Sequence, residues 1–302
     1  MKDRRVNIDY YHIVYHYYDQ NGNLAEEGLY SIKPLLEIAK DTPVSQRIVN
    51  CRGEQARLQT IDKINDIWIM QFLRIRKDYT TGIARDDGSF TKMSLKADEG
   101  LGDSASALYD DKTCTLIFQR NRDSVAPSDV LEYLQKVAKD TGILLQPIIL
   151  RKDLEKYDDD CVYRTLEIGF ADLKNDVEIK TKIPGLLNIF NGLKDFEAVN
   201  AKVVITVGKA KKNKSLEKYF TKQAALDLER SSNVNMLRLH AKASVNDNVE
   251  TIDLIQARLR DEFEIKYSRE EEPSEIHKKV VEKIWASYNQ MRPLIEKDIR
   301  RD

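Results

Sequence analysis

Residues 201–222 read AKVVITVGKAKKNKSLEKYFTK, a run in which seven lysines face one acid, Glu217. A lysine ammonium is a compact point charge on a long mobile stem, so a cluster of this kind suits the neutralisation of phosphates. Lys209, Lys211, Lys212 and Lys214 fall between a β-branched strand over 202–207 and a helical pattern over 216–230, which puts them on a basic loop. Lys218 and Lys222 follow at i, i+4 spacing and share a face of that helix. The bland alternative is an ordinary solvated loop. The run holds no arginine and no groove-entering motif, so any DNA contact should be backbone-directed and salt-sensitive and should not read bases. A second basic element, Gln119-Arg120-Asn121-Arg122, directly follows a strand, where Arg120 and Arg122 can meet phosphate or pair with the many local acids.

One acidic segment offers catalytic chemistry instead. Glu178-Ile179-Lys180, preceded by Asp172 or Asp176, matches the acid and Glu-x-Lys pattern that holds a metal ion and an activated water for phosphodiester hydrolysis, which makes a metal-dependent nuclease the alternative reading. The same spacing recurs at Glu264-Ile265-Lys266, as it does in any alternating charged strand. Asp158-Asp159-Asp160 suits a hard cation, although successive acids in a linker are usually just solvated. His12 and His16 sit four apart in a tyrosine-rich strand without the acid of a zinc-binding helix, and His240 and His277 are isolated. Cys51, Cys114 and Cys161 are scattered, odd in number and without paired spacing, which fits a reducing cytosol. Gly100-Leu101-Gly102 lacks the third glycine and the lysine of a phosphate-cradling loop. We therefore assign no catalytic residue, metal or cofactor from sequence.

Hydrophobic patterning sets the scaffold that carries these side chains. With 302 residues and 41% hydrophobic content the chain can bury one large core or two medium ones. Its 49 basic and 50 acidic residues nearly cancel, so affinity for a polyanion must come from a local patch. Strands are expected over 9–18, 58–60, 67–75, 114–119, 143–150, 165–170, 177–183, 202–207, 234–243 and 249–259, with Asn21-Gly22 turning the first hairpin. Helices are expected over 31–40, from Pro127-Ser128-Asp129 with Ser128 as cap to a stop at Gly142, over 185–193, over 216–230, and from Pro273 along a stripe to Ile295 that Pro293 should kink or break. Residues 78–111 look mostly like loop, with a short helix near 94–97. The sum is an α+β protein of two lobes, with mixed or antiparallel sheets and packed helices. A domain over 1–150 is separated by a charged linker from a second over 161–302 that carries the lysine loop and the terminal helix. That helix should pack on its own domain, with a dimer contact as the alternative. The N-terminus lacks an apolar leader, and no stretch of about 18 apolar residues appears, so no membrane span and a cytoplasmic location are expected.

Several segments resemble RexA, the phage-exclusion protein family of lambdoid prophages. They are Asp98-Glu99-Gly100-Leu101-Gly102, Ala107-Leu108-Tyr109, Leu116-Ile117-Phe118-Gln119-Arg120 and Ser128-Asp129-Val130-Leu131-Glu132-Tyr133-Leu134. In the same order follow Pro184-Gly185-Leu186-Leu187, the lysines after Ile205-Thr206-Val207, Leu237-Arg238-Leu239-His240-Ala241-Lys242 and a terminal amphipathic helix. The resemblance implies a homodimer that holds double-stranded DNA, acting as sensor or switch in phage exclusion while a defence effector protein does the damage. It implies no catalytic residues. A protein-interaction adaptor that senses a phage protein is the remaining alternative.

Overall fold

The computed structural model describes residues 2–18, 24–77, 82–149, 161–171, 183–196, 199–209, 213–229, 231, 234–255, 258–268 and 270–299. Two units divide the chain: Met1–Leu145 with Arg260–Asp302, and Gln146–Leu259 between them. The fold is α+β, and every pairing whose register is described is antiparallel.

In the first unit the elements run β1 (Lys2–Tyr18), β2 (Leu24–Leu29), α1 (Lys33–Asp41), β3 (Ile48–Cys51), β4 (Glu54–Ile64), β5 (Ile67–Arg76), β6 (Gly82–Ala84), β7 (Phe90–Lys92), β8 (Leu101–Asp110), β9 (Thr115–Arg120), α2 (Pro127–Ala138) and β10 (Ile143–Pro147). The second unit contributes β11 (Val162–Ala171), α3 (Pro184–Asp195), β12 (Asn200–Thr206), α4 (Lys218–Glu229), β13 (Val234–Lys242) and β14 (Glu250–Asp253). The chain then returns to the first unit with β15 (Arg260–Tyr267) and α5 (Pro273–Ile299).

Strand β1 organises the larger unit because it is long enough to take different partners along its length. Its first half pairs with β15, its middle with β9 and its end with β2. The nine-stranded sheet runs β10-β1-β9-β8-β5-β4-β3, with β15 and β2 also on β1. Because side chains alternate across a strand, Tyr11 and Ile13 enter an apolar core with Phe72, Phe118, Leu36, Tyr133 and Leu134 under α1 and α2. Tyr10 and Ser106 instead reach α5, through Ser287 and His277.

Several expectations change. Residues 78–111 are not mainly loop: β6 and β7 form a hairpin, and β8 is a central strand between β5 and β9. Its glycine, serine and alanine content reads as loop, but Ala105 and Ala107 are buried where Phe72 packs edge-on against Phe118 and Tyr133 at 6.4 and 5.7 Å. Small residues there leave room for the rings, a case of packing outweighing intrinsic strand propensity. No helix forms at 94–97. Helix α2 starts at Pro127 with Ala126 as the flanking residue, whose N–H donates to Asp129 at 2.7 Å, while Ser128 accepts from Arg52 and Lys139 at φ +55° makes the stop.

A further change concerns 249–259, where strand ends at Asp253 and a separate strand, β15, begins at Arg260 and returns to β1. The boundary moves with it: β15 and α5 lie in the first unit and not in a domain over 161–302, because α5 packs on β8 and β15. It does so within its own unit, and it runs through Pro293 unbroken. Arg292 on one side of the proline pairs with Asp110 at 3.2 Å, and Ile295 on the other is buried. The proposed linker over 151–160 lies outside the described residues.

Candidate nucleic-acid interface

The second unit is a four-stranded sheet, ordered β12-β11-β13-β14, with α3 and α4 on one face. Leu166, Ile168 and Phe170 of β11 alternate toward the helices, and α4 lays Ala224, Ala225 and Leu228 onto them. That packing faces Lys218, Tyr219, Phe220 and Lys222 outward, and all four are exposed. Tyr219 and Phe220 remain 69% and 52% exposed, stacked edge-to-face with centroids 5.6 Å apart.

The loop between β12 and α4 is anchored at both ends by two residues of β11. The ladder with β13 shifts between Tyr163 and Thr165, a bulge that leaves Arg164 out of register. The Arg164 carbonyl accepts from the Val207 N–H at 3.1 Å, and its guanidinium donates to Gly208 O at 3.2 Å and Lys214 O at 2.7 Å. Tyr163 closes the far end, donating its N–H to Ser215 Oγ at 3.0 Å and accepting from the Leu216 N–H at 2.8 Å. Gly208, at φ +60°, makes the reversal that begins the loop. One guanidinium thus fixes where the loop leaves and rejoins the sheet, and Lys209 and Lys214 are both exposed there.

Glu217, the one acid of the run, is occupied locally: Oε2 accepts the Phe220 N–H at 2.7 Å at the start of α4. A carboxylate at this end satisfies an orphan amide and opposes the positive end of the helix dipole. Among the described residues no ion pair holds Lys209, Lys214 or Lys222. Lys202 differs, since it pairs with Glu167 at 2.9 Å on the sheet's other face, where Glu167 also meets His240 at 3.2 Å. Those contacts hold the Glu167 carboxyl below its usual range, the Lys202 hydrogen bond being the main cause. Arg238 pairs with Asp253 at 3.0 Å on the same face, so its cations are largely neutralised within the sheet. Lys211 and Lys212 lie outside the described residues.

Arg120 and Arg122 belong to the first unit. Arg120 lies 3.6 Å from the buried Asp9, which Arg260 approaches at 3.1 Å. The cause is register, since Asp9 of β1 is flanked by β9 and β15. Arg122 is exposed.

Other sequence candidates resolve differently. Residues 158–160 and the nuclease set Asp172, Asp176, Glu178 and Lys180 lie outside the described residues. His12 and His16 are on β1, where four residues span about 13 Å; His12 faces Thr115 at 3.4 Å and His16 faces Glu27 at 3.5 Å. Among the described residues no group of three His, Cys, Asp or Glu is arranged to hold a metal. All three cysteines are free and buried, and burial pushes the Cys51 thiol up to about 12 and raises that of Cys114. Both remain protonated and unreactive at neutral pH.

His277, isolated in sequence, meets Ser106 Oγ at 2.7 Å through Nδ1. Both are buried between β8 and α5, and no carboxylate bonds the His277 ring among the described residues, so the pair is a satisfied core contact. Burial lowers the His277 pKa to about 4. Nearby, Asp110, fully buried, accepts from the Tyr288 hydroxyl at 2.5 Å and pairs with Arg292 at 3.2 Å. These contacts lock α5 to the sheet.

The aromatic pair Tyr219-Phe220 is the feature that charge counting passes over. Its signal was two adjacent rings set between Lys218 and Lys222 on a helix whose next apolar residues form the buried face.

The chain belongs to DUF6731, a family of unknown function whose model matches residues 1–298. No curated protein and no solved structure matches it. Among the described residues no helix is long and apolar enough to cross a membrane.

Proposed function

We propose that this member of DUF6731 is a sequence-tolerant binding protein for double-stranded DNA, with phosphate contacts made by Lys209, Lys211, Lys212, Lys214, Lys218 and Lys222. The observation that carries this reading is the anchored loop. Arg164 secures both of its ends, Glu217 is engaged at the start of α4, and Lys209, Lys214 and Lys222 have no carboxylate partner among the described residues. Lys209, Lys214 and Lys222, exposed on the anchored loop and on α4, give a local positive field in a chain whose net charge is only −1. The RexA resemblance supplies the setting: a cytoplasmic homodimer acting as sensor or switch in phage exclusion, with a separate effector. Arg122, exposed in the first unit, is a separate candidate for phosphate contact, and Arg120 serves chiefly to pair Asp9.

Replacing Lys209, Lys211, Lys212 and Lys214 together by alanine is the test. Fluorescence anisotropy with a duplex of about 30 base pairs should show weaker binding and a log–log salt dependence shallower by about 0.9 for each lost phosphate contact. Unchanged affinity in the quadruple variant would show the loop to be a solvated surface.

A further inference from the structure

We infer that the same patch captures unpaired bases, so that DNA with an opened or single-stranded segment is held in preference to closed duplex. The inference rests on the DNA-binding reading above and deepens it at Tyr219 and Phe220. Adjacent rings at 69% and 52% exposure are unusual on a helix that has a well-formed buried face of its own. Helix geometry places Lys222 one turn from both Lys218 and Tyr219, so the Lys222 ammonium shares the Tyr219 side of the helix. Rings bordered by mobile cations match the two requirements of an unpaired strand, which needs a π-surface for each base and positive charge for the phosphate beside it. In closed duplex the base faces are already stacked on one another, and the rings have nothing to take.

Charge complementarity selects this occupant over a second copy of the chain. A two-fold contact through Tyr219 and Phe220 would bring Lys218 and Lys222 against their own copies, a like-charge juxtaposition that such an interface avoids. A polyanion bearing aromatic bases satisfies rings and lysines together. The edge-to-face geometry of the pair, at 69°, presents the two rings in different directions, so they meet separate bases and do not clamp one between them.

The test uses the full-length protein with three labelled DNAs of about 30 nucleotides or base pairs: a closed duplex, the same duplex with a central unpaired bubble, and the single strand. The wild type should favour the bubble and the single strand over the closed duplex. The double variant Tyr219→Ala/Phe220→Ala should lose at least ~5-fold on the two open forms, the loss expected for one base stack, and keep its closed-duplex affinity. Tyr219→Trp should retain the preference, because it keeps a ring. Equal losses on all three DNAs, or none, would overturn the base-capture proposal while leaving the lysine reading intact. Absence of binding to every DNA at low salt would overturn both. Sedimentation of the same proteins covers the remaining occupant: a dimer that dissolves in the double variant, with DNA binding unchanged, would assign the rings to self-association and overturn the proposal.

Discussion

The charged and polar residues of this chain divide into those whose partners are internal and those left to solvent. Arg120, Lys202 and Arg238 each meet a carboxylate, whereas Lys209, Lys214 and Lys222 stand exposed without one among the described residues. In the sequence the lysines stand out as a local excess of charge. Sequence alone could not tell Lys202 from Lys209, because pairing with Glu167 depends on register between β11 and β12. It also left His277 isolated, since the contact with Ser106 joins positions 171 residues apart. The burial of His277 makes stability depend on pH. Unfolded, His277 takes up a proton near 6.5, but in the folded chain only near 4, so between those values the unfolded state binds more protons. Stability should therefore fall by up to about 3 kcal/mol as pH drops from 6.5 to 4. Thermal unfolding followed across that range should show the loss in the wild type and a flatter profile in His277→Gln. Equal slopes for the two proteins would mean that His277 is solvated in the folded state.

Among the elements, those with strong periodicity were legible and those specified by their neighbours were not. The apolar residues of α2, α4 and α5 recur at helical spacing, and β1 and β5 are rich in β-branched and aromatic residues. Strand β8 escaped because its local composition favours a loop, and only pairing with β5 and β9 on both sides makes it a strand. If its alanines are small in order to admit the aromatic cluster, Ala107→Leu should cost about 1–3 kcal/mol through overpacking, measured by urea unfolding. A neutral result would show slack between Phe72 and Phe118. Helix α5 is fixed by a buried charge: removing the Tyr288 hydroxyl with Tyr288→Phe takes a hydrogen bond from the Asp110 carboxylate and should cost about 1.5–3 kcal/mol. Asp110→Ala should cost more, because Arg292 then loses its 3.2 Å partner as well.

At the scale of the whole molecule, the least legible feature was the route of the chain. The sequence reads as two successive domains, but the segment Gln146–Leu259 interrupts a unit that resumes at Arg260. Nothing local marks that return, since β15 finds its partner in β1, more than 250 residues earlier. Expression of residues 146–259 alone should give a folded domain with its own core. A fragment over 161–302 should aggregate, because β15 and α5 would lack β1 and β8. Circular dichroism and size-exclusion chromatography distinguish the two outcomes, and a well-behaved 161–302 fragment would contradict this division. Phosphate-directed DNA binding by the lysine loop and α4 predicts a strong salt dependence of duplex binding. Anisotropy titrations of the full-length protein at two salt concentrations, with magnesium present and the DNA examined afterwards, should show affinity that falls steeply with salt and DNA that remains intact. Absence of binding at low salt, or binding indifferent to salt, would contradict the claim, and cleavage would transfer the function to the nuclease set around Glu178.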